Sequence, residues 1–246
     1  PISAAAPAPA APGQSDSTSL PIAGPVTAAT TAETAPPATS ARLRIATPYL
    51  HGSISLTGSR FDDITLVNYR ETLDRASPEI TLLARVGSPK PYYAEWGWIA
   101  SDDSVALPGP ATAWIPDDPY AVLTEATPVT LTWDNGQGLV FKRTIRADKE
   151  YLFTLDQTVV NNSEKPVTLY PYSLVVRMDA GADTPIGFSH EGPLGVFDRQ
   201  LKEMKYDDLK EKGREASDSV GGWIGITDKY WLIAVAFDPT LKISGS

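Results

Sequence analysis

The 246-residue chain contains no cysteine. This absence excludes disulfide bonds, thiolate zinc sites and cysteine nucleophiles together. Since disulfide usage is the main sequence indicator of the redox compartment, the composition alone leaves that compartment open.

Histidine is nearly as scarce, because only His51 and His190 occur. The sequence has no His-x-x-x-His pair, no carboxylate cluster at metal-ligand spacing, no Gly-x-Ser-x-Gly, no phosphate loop and no dinucleotide fingerprint. Adjacent acidic residues are expected in solvated turns or on a helix surface; they are Asp62-Asp63, Asp102-Asp103, Asp117-Asp118 and Asp207-Asp208. The sequence therefore predicts no metal and no cofactor, and it does not support a hydrolase, kinase or dehydrogenase.

Long apolar runs are also absent. The longest covers residues 230–237, far short of the roughly 18 to 20 residues that a membrane-spanning helix needs. The first residues do not show a basic region followed by an apolar stretch, the pattern of a signal peptide. The formal net charge of −9 opposes binding to nucleic acid, which depends on Lys and Arg, and to an anionic membrane surface. We expect the chain as given to be soluble, and the missing initiator Met indicates a segment of a longer polypeptide.

Ala, Pro, Ser and Thr dominate residues 1–42. Such a composition cannot bury enough apolar surface to offset the entropy lost on ordering. We predict a disordered Ala/Pro-rich linker at residues 1–42, extended where prolines cluster, and one folded domain at residues 43–246.

The folded part has the alternation of β-strands. Apolar and polar residues alternate at 54–57 and at 64–66, and Asp62-Asp63 is expected to form a bend between these strands. Further strands are predicted at 80–86, 92–99, 113–115, 129–133, 139–145, 151–160 and 167–178, with a hairpin turn at Asn135-Gly136. Residues 221–237 are predicted to form a hairpin of two strands that turns at Asp228-Lys229, and its second strand is fully apolar. Only residues 201–214 are typical of a helix. The pattern predicts an all-β antiparallel sandwich with one short helix near the C-terminus.

Aromatic residues are the candidate binding groups, because six Trp and ten Tyr are available. Trp96 and Trp98 share one face of a predicted strand and could form a ligand platform, as could Trp223 and Tyr230. Aromatic rings at such positions are more often core packing in which the polar atom finds one hydrogen bond.

His190 and Glu191 could supply an acid and a base. Adjacent residues of an extended chain, however, point to opposite sides. A turn or a contact with a partner is therefore the simpler interpretation of this pair.

Several segments occur in a set order along the chain. They are residues 52–56 with Asp62-Asp63 and residues 69–72, then Pro-Tyr-Tyr-Ala-Glu-Trp-Gly-Trp at 91–98, His-Glu-Gly-Pro at 190–193, Gly-Gly-Trp at 221–223 and Lys-Tyr-Trp at 229–231. Taken together, over about residues 43–238, they resemble the large periplasmic domain of the YidC membrane-protein insertase family.

This resemblance implies a β-supersandwich similar to galactose mutarotase, located in the periplasm between the first and second membrane helices of a multi-pass inner-membrane protein. It implies a non-catalytic module that contacts partners such as SecDF of the Sec translocon, and nascent membrane-protein clients. The membrane-embedded core that performs insertion in that family has no counterpart in this chain. A helical connection to the second membrane helix is expected soon after Pro239, where the chain looks truncated.

A second class of function stays open at this point. The sandwich could bind or epimerise a sugar, as its fold relatives do, because one scaffold hosts unrelated functions. Sugar epimerases of that fold depend on His and carboxylate groups in the cleft, for which this chain has only His51 and His190. We therefore expect an interaction module and not an enzyme.

Overall fold

The computed structural model describes residues 41–178, 190–228 and 230–246. Within these ranges the chain forms fifteen strands and one helix. Their bounds are β1 Arg42–Ala46, β2 Leu50–Ser55, β3 Arg60–Arg70, β4 Glu79–Leu83, β5 Tyr92–Ala100, β6 Ile115–Pro116, β7 Val122–Leu123, β8 Val129–Asp134, β9 Leu139–Ala147, β10 Phe153–Asn161, β11 Leu169–Arg177, β12 Gly192–Phe197, β13 Gln200–Glu203, α1 Tyr206–Lys212, β14 Ser217–Thr227 and β15 Leu232–Gly245. The predicted all-β class with one short C-terminal helix is confirmed.

Three sheets organise these strands. The largest has seven strands in the order β11-β5-β3-β2-β1-β7, with β4 pairing with β3. The second sheet has the order β10-β9-β8-β6, and the third has the order β13-β12-β14-β15. Neighbouring strands are antiparallel except β1 and β7, which are parallel. The result is a sandwich assembled largely from hairpins.

The β8–β9 hairpin shows how local sequence sets this arrangement. Gly136 has a φ of 69°, which a glycine after asparagine adopts readily. The Asn135 side-chain oxygen accepts hydrogen bonds from the backbone N–H groups of Gln137 and Leu139. The turn therefore forms where Asn-Gly predicts it, and it fixes the register of the two strands.

The core lies between the seven-stranded sheet and the second sheet. Every second residue of β9 faces inward, and Phe141 and Ile145 are completely buried. The Phe141 ring packs edge-on against Trp98 of β5, with 5.0 Å between ring centroids. Burying these apolar faces against each other is the main stabilising contribution to the sandwich.

The third sheet is joined to the first by two polar contacts. The Tyr92 hydroxyl donates a hydrogen bond of 3.1 Å to the backbone oxygen of Ile226, and Arg177 forms an ion pair with Asp228. Burial raises the pKa of Tyr92 well above its ordinary value, although the nearby Arg177 charge acts in the opposite direction. Tyr92 therefore stays protonated and acts as the donor.

The predicted bend at Asp62-Asp63 is wrong, because both residues lie inside β3. The turn between β2 and β3 comes earlier, where Gly58 and Ser59 have positive φ angles of 75° and 53°. Asp62 is buried and accepts from Arg42. A charged partner on β1, which is separated from β3 by β2 in the same sheet, thus makes a buried carboxylate tolerable, which the local alternation could not show.

Asp63 is the second member of this charged group. Its carboxylate accepts hydrogen bonds from Arg85 at 2.7 Å and from Ser53 at 2.5 Å. Burial alone would raise the pKa of Asp63, but these two hydrogen bonds and the charges of Arg85 and Arg42 outweigh it and lower the pKa.

The helix predicted for residues 201–214 is shorter than expected. Residues up to Glu203 belong to β13, which pairs with β12, and the helix covers only Tyr206–Lys212. The predicted end at Gly213 is confirmed, because Gly213 has a φ of 76° and its N–H donates to the Leu209 oxygen. Pairing with the preceding strand β12 in a hairpin outweighed local helix propensity in the first part of this segment.

Candidate interaction surface

Four aromatic side chains from separate parts of the chain form one partly exposed cluster. Tyr49 directly precedes β2, Tyr69 is the last but one residue of β3, Tyr151 precedes β10 and Trp231 precedes β15. We call Tyr49, Tyr69, Tyr151 and Trp231 the aromatic cluster. Its members come together because β3 and the starts of β10 and β15 lie at the same end of the sandwich.

Ring contacts connect the members of the cluster. Tyr49 lies 5.6 Å from Tyr151, and Tyr69 packs edge-on against Trp231 at 4.8 Å, measured between ring centroids. Desolvation and the neighbouring Tyr69 side chain raise the pKa of Tyr151. The three tyrosines nevertheless keep 36–45% of their surface exposed. The cluster is therefore an ordered apolar surface that still faces water.

Exposed apolar residues extend this surface. Leu152 beside Tyr151, and Tyr230 and Leu232 on either side of Trp231, are all substantially exposed. Tyr and Trp combine a large apolar area with few rotatable bonds, so they are enriched at protein contact sites. Apolar patches of this kind on a folded domain commonly mark binding surfaces.

Two adjoining cavities, here called the first and the second cavity, lie beneath β15, and the second of them lies behind the aromatic cluster. The second cavity, of about 480 Å³, opens between Tyr69, Tyr151 and Trp231. The first cavity, of about 570 Å³, runs along β5, β10 and β11 towards Leu241. Both cavities share the residues Trp96, Leu155, Val235 and Ala236, so they form adjoining compartments with mostly apolar walls.

The first cavity carries a few polar groups. Gln157 and Asn161 of β10 line it, and the buried hydroxyl of Ser173 of β11 has no hydrogen-bond partner among the described residues. Tyr172 lies across Gly97 of β5, where an added Cβ would come within 2.5 Å of the tyrosine ring. Burial and the Glu95 charge raise the pKa of Tyr172, against the effect of Arg143.

Arg143 is a buried residue that the sequence analysis missed. Its guanidinium donates to the backbone oxygens of Gly58 and Trp96 and, at 3.2 Å, to the Gln157 side chain. It also lies 4.4 Å from the centroid of the Trp114 ring. The only sequence signal is an arginine at an inward position of β9. This cation fixes the turn before β3 and the strand that carries Trp96, which forms a wall of both cavities.

The six predicted binding residues do not form one site. Trp96 and Trp98 both line the first cavity, whereas Trp223 lies on β14, opposite Ala236. Tyr230 is exposed beside the aromatic cluster. Tyr49, Tyr69 and Tyr151 were not predicted, because nothing in the local sequence shows that they meet.

His190 and Glu191 lie just before β12, outside the residues that line the cavities. The ring Nε2 of His190 is 3.1 Å from the backbone oxygen of Pro193. The other histidine, His51, pairs instead with Glu79 at 2.8 Å on the seven-stranded sheet. Over the described ranges, no group of three His, Cys, Asp or Glu residues is placed to hold a metal ion.

No helix in the described part of the chain has the length and apolar character needed to cross a bilayer.

Comparison with known proteins identifies the family. The family profile described as the YidC periplasmic domain matches residues 42–243. The protein named membrane protein insertase YidC in Beijerinckia indica subsp. indica is 45% identical over 85% of this chain and 35% of its own length. The protein of the same name in Methylorubrum extorquens is 43% identical over 85% of this chain and 35% of its own length. The relative in Granulibacter bethesdensis is 42% identical over 89% of this chain and 39% of its own length. The chain thus spans little more than a third of these relatives. The chain belongs to the YidC periplasmic domain family.

Proposed function

We propose that this chain is a non-catalytic interaction module of a bacterial membrane protein insertase, located at the periplasmic face of the inner membrane. It would contact components of the Sec translocon such as SecDF, and nascent membrane-protein clients. The Ala/Pro-rich residues that precede β1 would act as a tether to the membrane-embedded part of a multi-pass protein.

The aromatic cluster carries this proposal. Tyr49, Tyr69 and Tyr151 are held in place by ring contacts, yet each keeps more than a third of its surface exposed. Contact residues that are ordered before binding lose little conformational entropy in the complex. A preformed, exposed aromatic surface is therefore suited to binding another protein.

Charge favours a protein over a lipid surface as the partner. The net charge is −9, and no Lys or Arg lines either cavity. Anionic head groups need basic residues for attraction, whereas apolar side chains of a protein need only the aromatic surface.

The proposal is tested by capture of SecDF with the full-length insertase carrying Tyr69→Ala or Tyr151→Ala. Removing an aromatic contact residue typically costs about 1–2 kcal/mol of binding free energy, which corresponds to a loss of capture of roughly tenfold. Tyr120→Ala is the matched control, because Tyr120 is an exposed tyrosine outside the cluster. Equal capture by all three variants and the unmodified protein would contradict the proposal.

A further inference from the structure

The third sheet contributes little to the packed core. Twenty apolar residues of the described chain are buried, and Ile226 of β14 is the only one of them that belongs to this sheet. The others lie between residues 43 and 147. Ile233, Val235 and Phe237 of β15 face the other sheets across the cavities but are only half-buried. The third sheet therefore lies against the sandwich without being built into its core.

The two cavities separate the third sheet from the strands opposite it. Residues of β15 form one wall, and residues of β5 and β10, such as Trp96 and Leu155, form the opposite wall. With volumes of about 570 and 480 Å³, the cavities are much larger than the voids of a close-packed interior, few of which exceed a water molecule. Close packing makes an interior stiff, so a sheet that rests on cavities meets less resistance to movement.

Three contacts join the third sheet to the seven-stranded sheet at one end. They are the hydrogen bond from Tyr92 to Ile226, the ion pair of Arg177 with Asp228, and the edge-on packing of Tyr69 against Trp231. Arg177 also lies 5.1 Å from the centroid of the Tyr92 ring, so two of these contacts support each other. We call Ile226, Asp228 and Trp231 the pivot end; they lie where β14 ends and β15 begins.

The opposite end of the third sheet is bonded within the sheet itself. Ser217, the first residue of β14, accepts a hydrogen bond from Lys202 of β13 at 2.6 Å. Ser219 accepts one from the backbone N–H of Asp198 at 2.8 Å. Leu241 of β15 is exposed and lines the first cavity. We call Ser217, Ser219 and Leu241 the far end.

A buried hydroxyl in the first cavity is left unsatisfied by this position of the sheet. Ser173 of β11 lines the cavity, and its hydroxyl has no hydrogen-bond partner among the described residues. An unpaired buried hydroxyl is destabilising, and water is a common alternative partner. Widening the cavity would give water access to Ser173. The loose packing and the unpaired hydroxyl therefore favour movement at the same place.

We propose that the third sheet is a hinged lid, which pivots at Ile226, Asp228 and Trp231 while its far end moves away from β10 and β11, so that the first cavity widens. Hinges commonly consist of a few residues at the ends of secondary-structure elements, and the pivot end has this character. The movement changes the size of the first cavity and keeps Trp231, a member of the aromatic cluster, near the fixed end. It is therefore separate from the binding of a partner by the cluster.

Paired spin labels measure this movement. The chain has no cysteine, so labels attach only to introduced cysteines. Val160→Cys with Leu241→Cys, the far pair, places labels on β10 and β15 across the first cavity, and Leu152→Cys with Leu232→Cys, the pivot pair, places them beside the pivot end. All four side chains are exposed, so these substitutions leave the core intact. The distance distribution of the far pair should be at least about twice as broad as that of the pivot pair, and distributions of equal width would overturn the proposal.

Asp228→Asn tests the pivot itself, because it removes the ion pair with Arg177 and nearly keeps the size of the side chain. It should broaden the distribution of the pivot pair towards that of the far pair. Asp156→Asn is the matched control, because it removes an ion pair with Arg146 inside the second sheet, and it should leave both distributions unchanged. Equal effects of the two variants on the pivot pair would contradict the proposal.

The lid and the proposed function can fail separately. Distributions of equal width, together with reduced capture of SecDF by Tyr151→Ala, would overturn the lid alone. A broad far pair, together with unchanged capture by Tyr151→Ala, would support the lid and contradict the proposed function.

Discussion

Replacing Arg143 with alanine should destabilise the domain, and the structure sets the size of the effect. The substitution leaves the backbone oxygens of Gly58 and Trp96 without their hydrogen-bond donor. Each buried acceptor left in this way costs about 1–3 kcal/mol of folding free energy. The substitution also removes the packing of the side chain against Trp114, at about 1–2 kcal/mol.

The cost of burying the Arg143 charge acts in the opposite direction. Burial lowers the pKa of the Arg143 guanidinium to about 10, and one pKa unit corresponds to about 1.4 kcal/mol. An ordinary arginine has a pKa of about 12.5, so burying this charge costs about 3 kcal/mol, and the alanine variant avoids that cost. The net expected loss is about 2 kcal/mol.

Urea unfolding followed by tryptophan fluorescence measures this loss, because Trp98 and Trp114 flank the guanidinium. Arg146→Ala is the control on the same strand: Arg146 and its partner Asp156 are both about half exposed, so the pair contributes less than about 1 kcal/mol. An Arg143→Ala variant that unfolds at the same urea concentration as Arg146→Ala would refute the reasoning.

Three further outcomes are expected. Because the pKa of Asp63 is lower in the folded state than in the unfolded state, its contribution to stability should be present above about pH 4 and lost as the pH falls through the folded-state pKa. In a pH series of thermal melts, Asp63→Asn should therefore show a smaller loss of stability at acid pH, and a loss equal to that of the unmodified chain would contradict this role of Asp63. Gly52→Ala should prevent folding as judged by circular dichroism, because the added Cβ would lie 2.0 Å from the Asp63 backbone oxygen. The added Cβ of Gly136→Ala meets open space, so this variant should lose only about 1 kcal/mol of folding free energy, and similar losses of stability in the two variants would contradict this geometry. The chain should show no mutarotation of aldoses in polarimetry, and saturable turnover abolished by His190→Ala would support the sugar enzyme instead.

Local patterns in the sequence predicted the parts of the fold that local forces decide. The Asn135-Gly136 hairpin and the β14–β15 hairpin form where turn chemistry and apolar alternation place them. The bend at Asp62-Asp63 failed because its buried partner Arg42 lies twenty residues earlier in the sequence. Charge pairing across strands depends on register, which alternation within one strand does not reveal.

The binding surface was harder to predict than the fold. Trp96 and Trp98 could be proposed from the aromatic density of a single strand, and they do line one cavity. Tyr49 and Tyr151 are far apart in sequence and meet only through the sheet arrangement. Their contact has no local signal, because it is a product of tertiary structure.

Site-specific photo-crosslinking in the full-length insertase tests the central claim most directly. A photoreactive residue at Leu152, which is exposed beside the aromatic cluster, is expected to crosslink to SecDF or to a membrane-protein client in cells. The same group at Tyr120, exposed but outside the cluster, should give no such product. Crosslinks of equal strength at the two positions, or none at Leu152, would contradict the account that this domain acts through its aromatic surface.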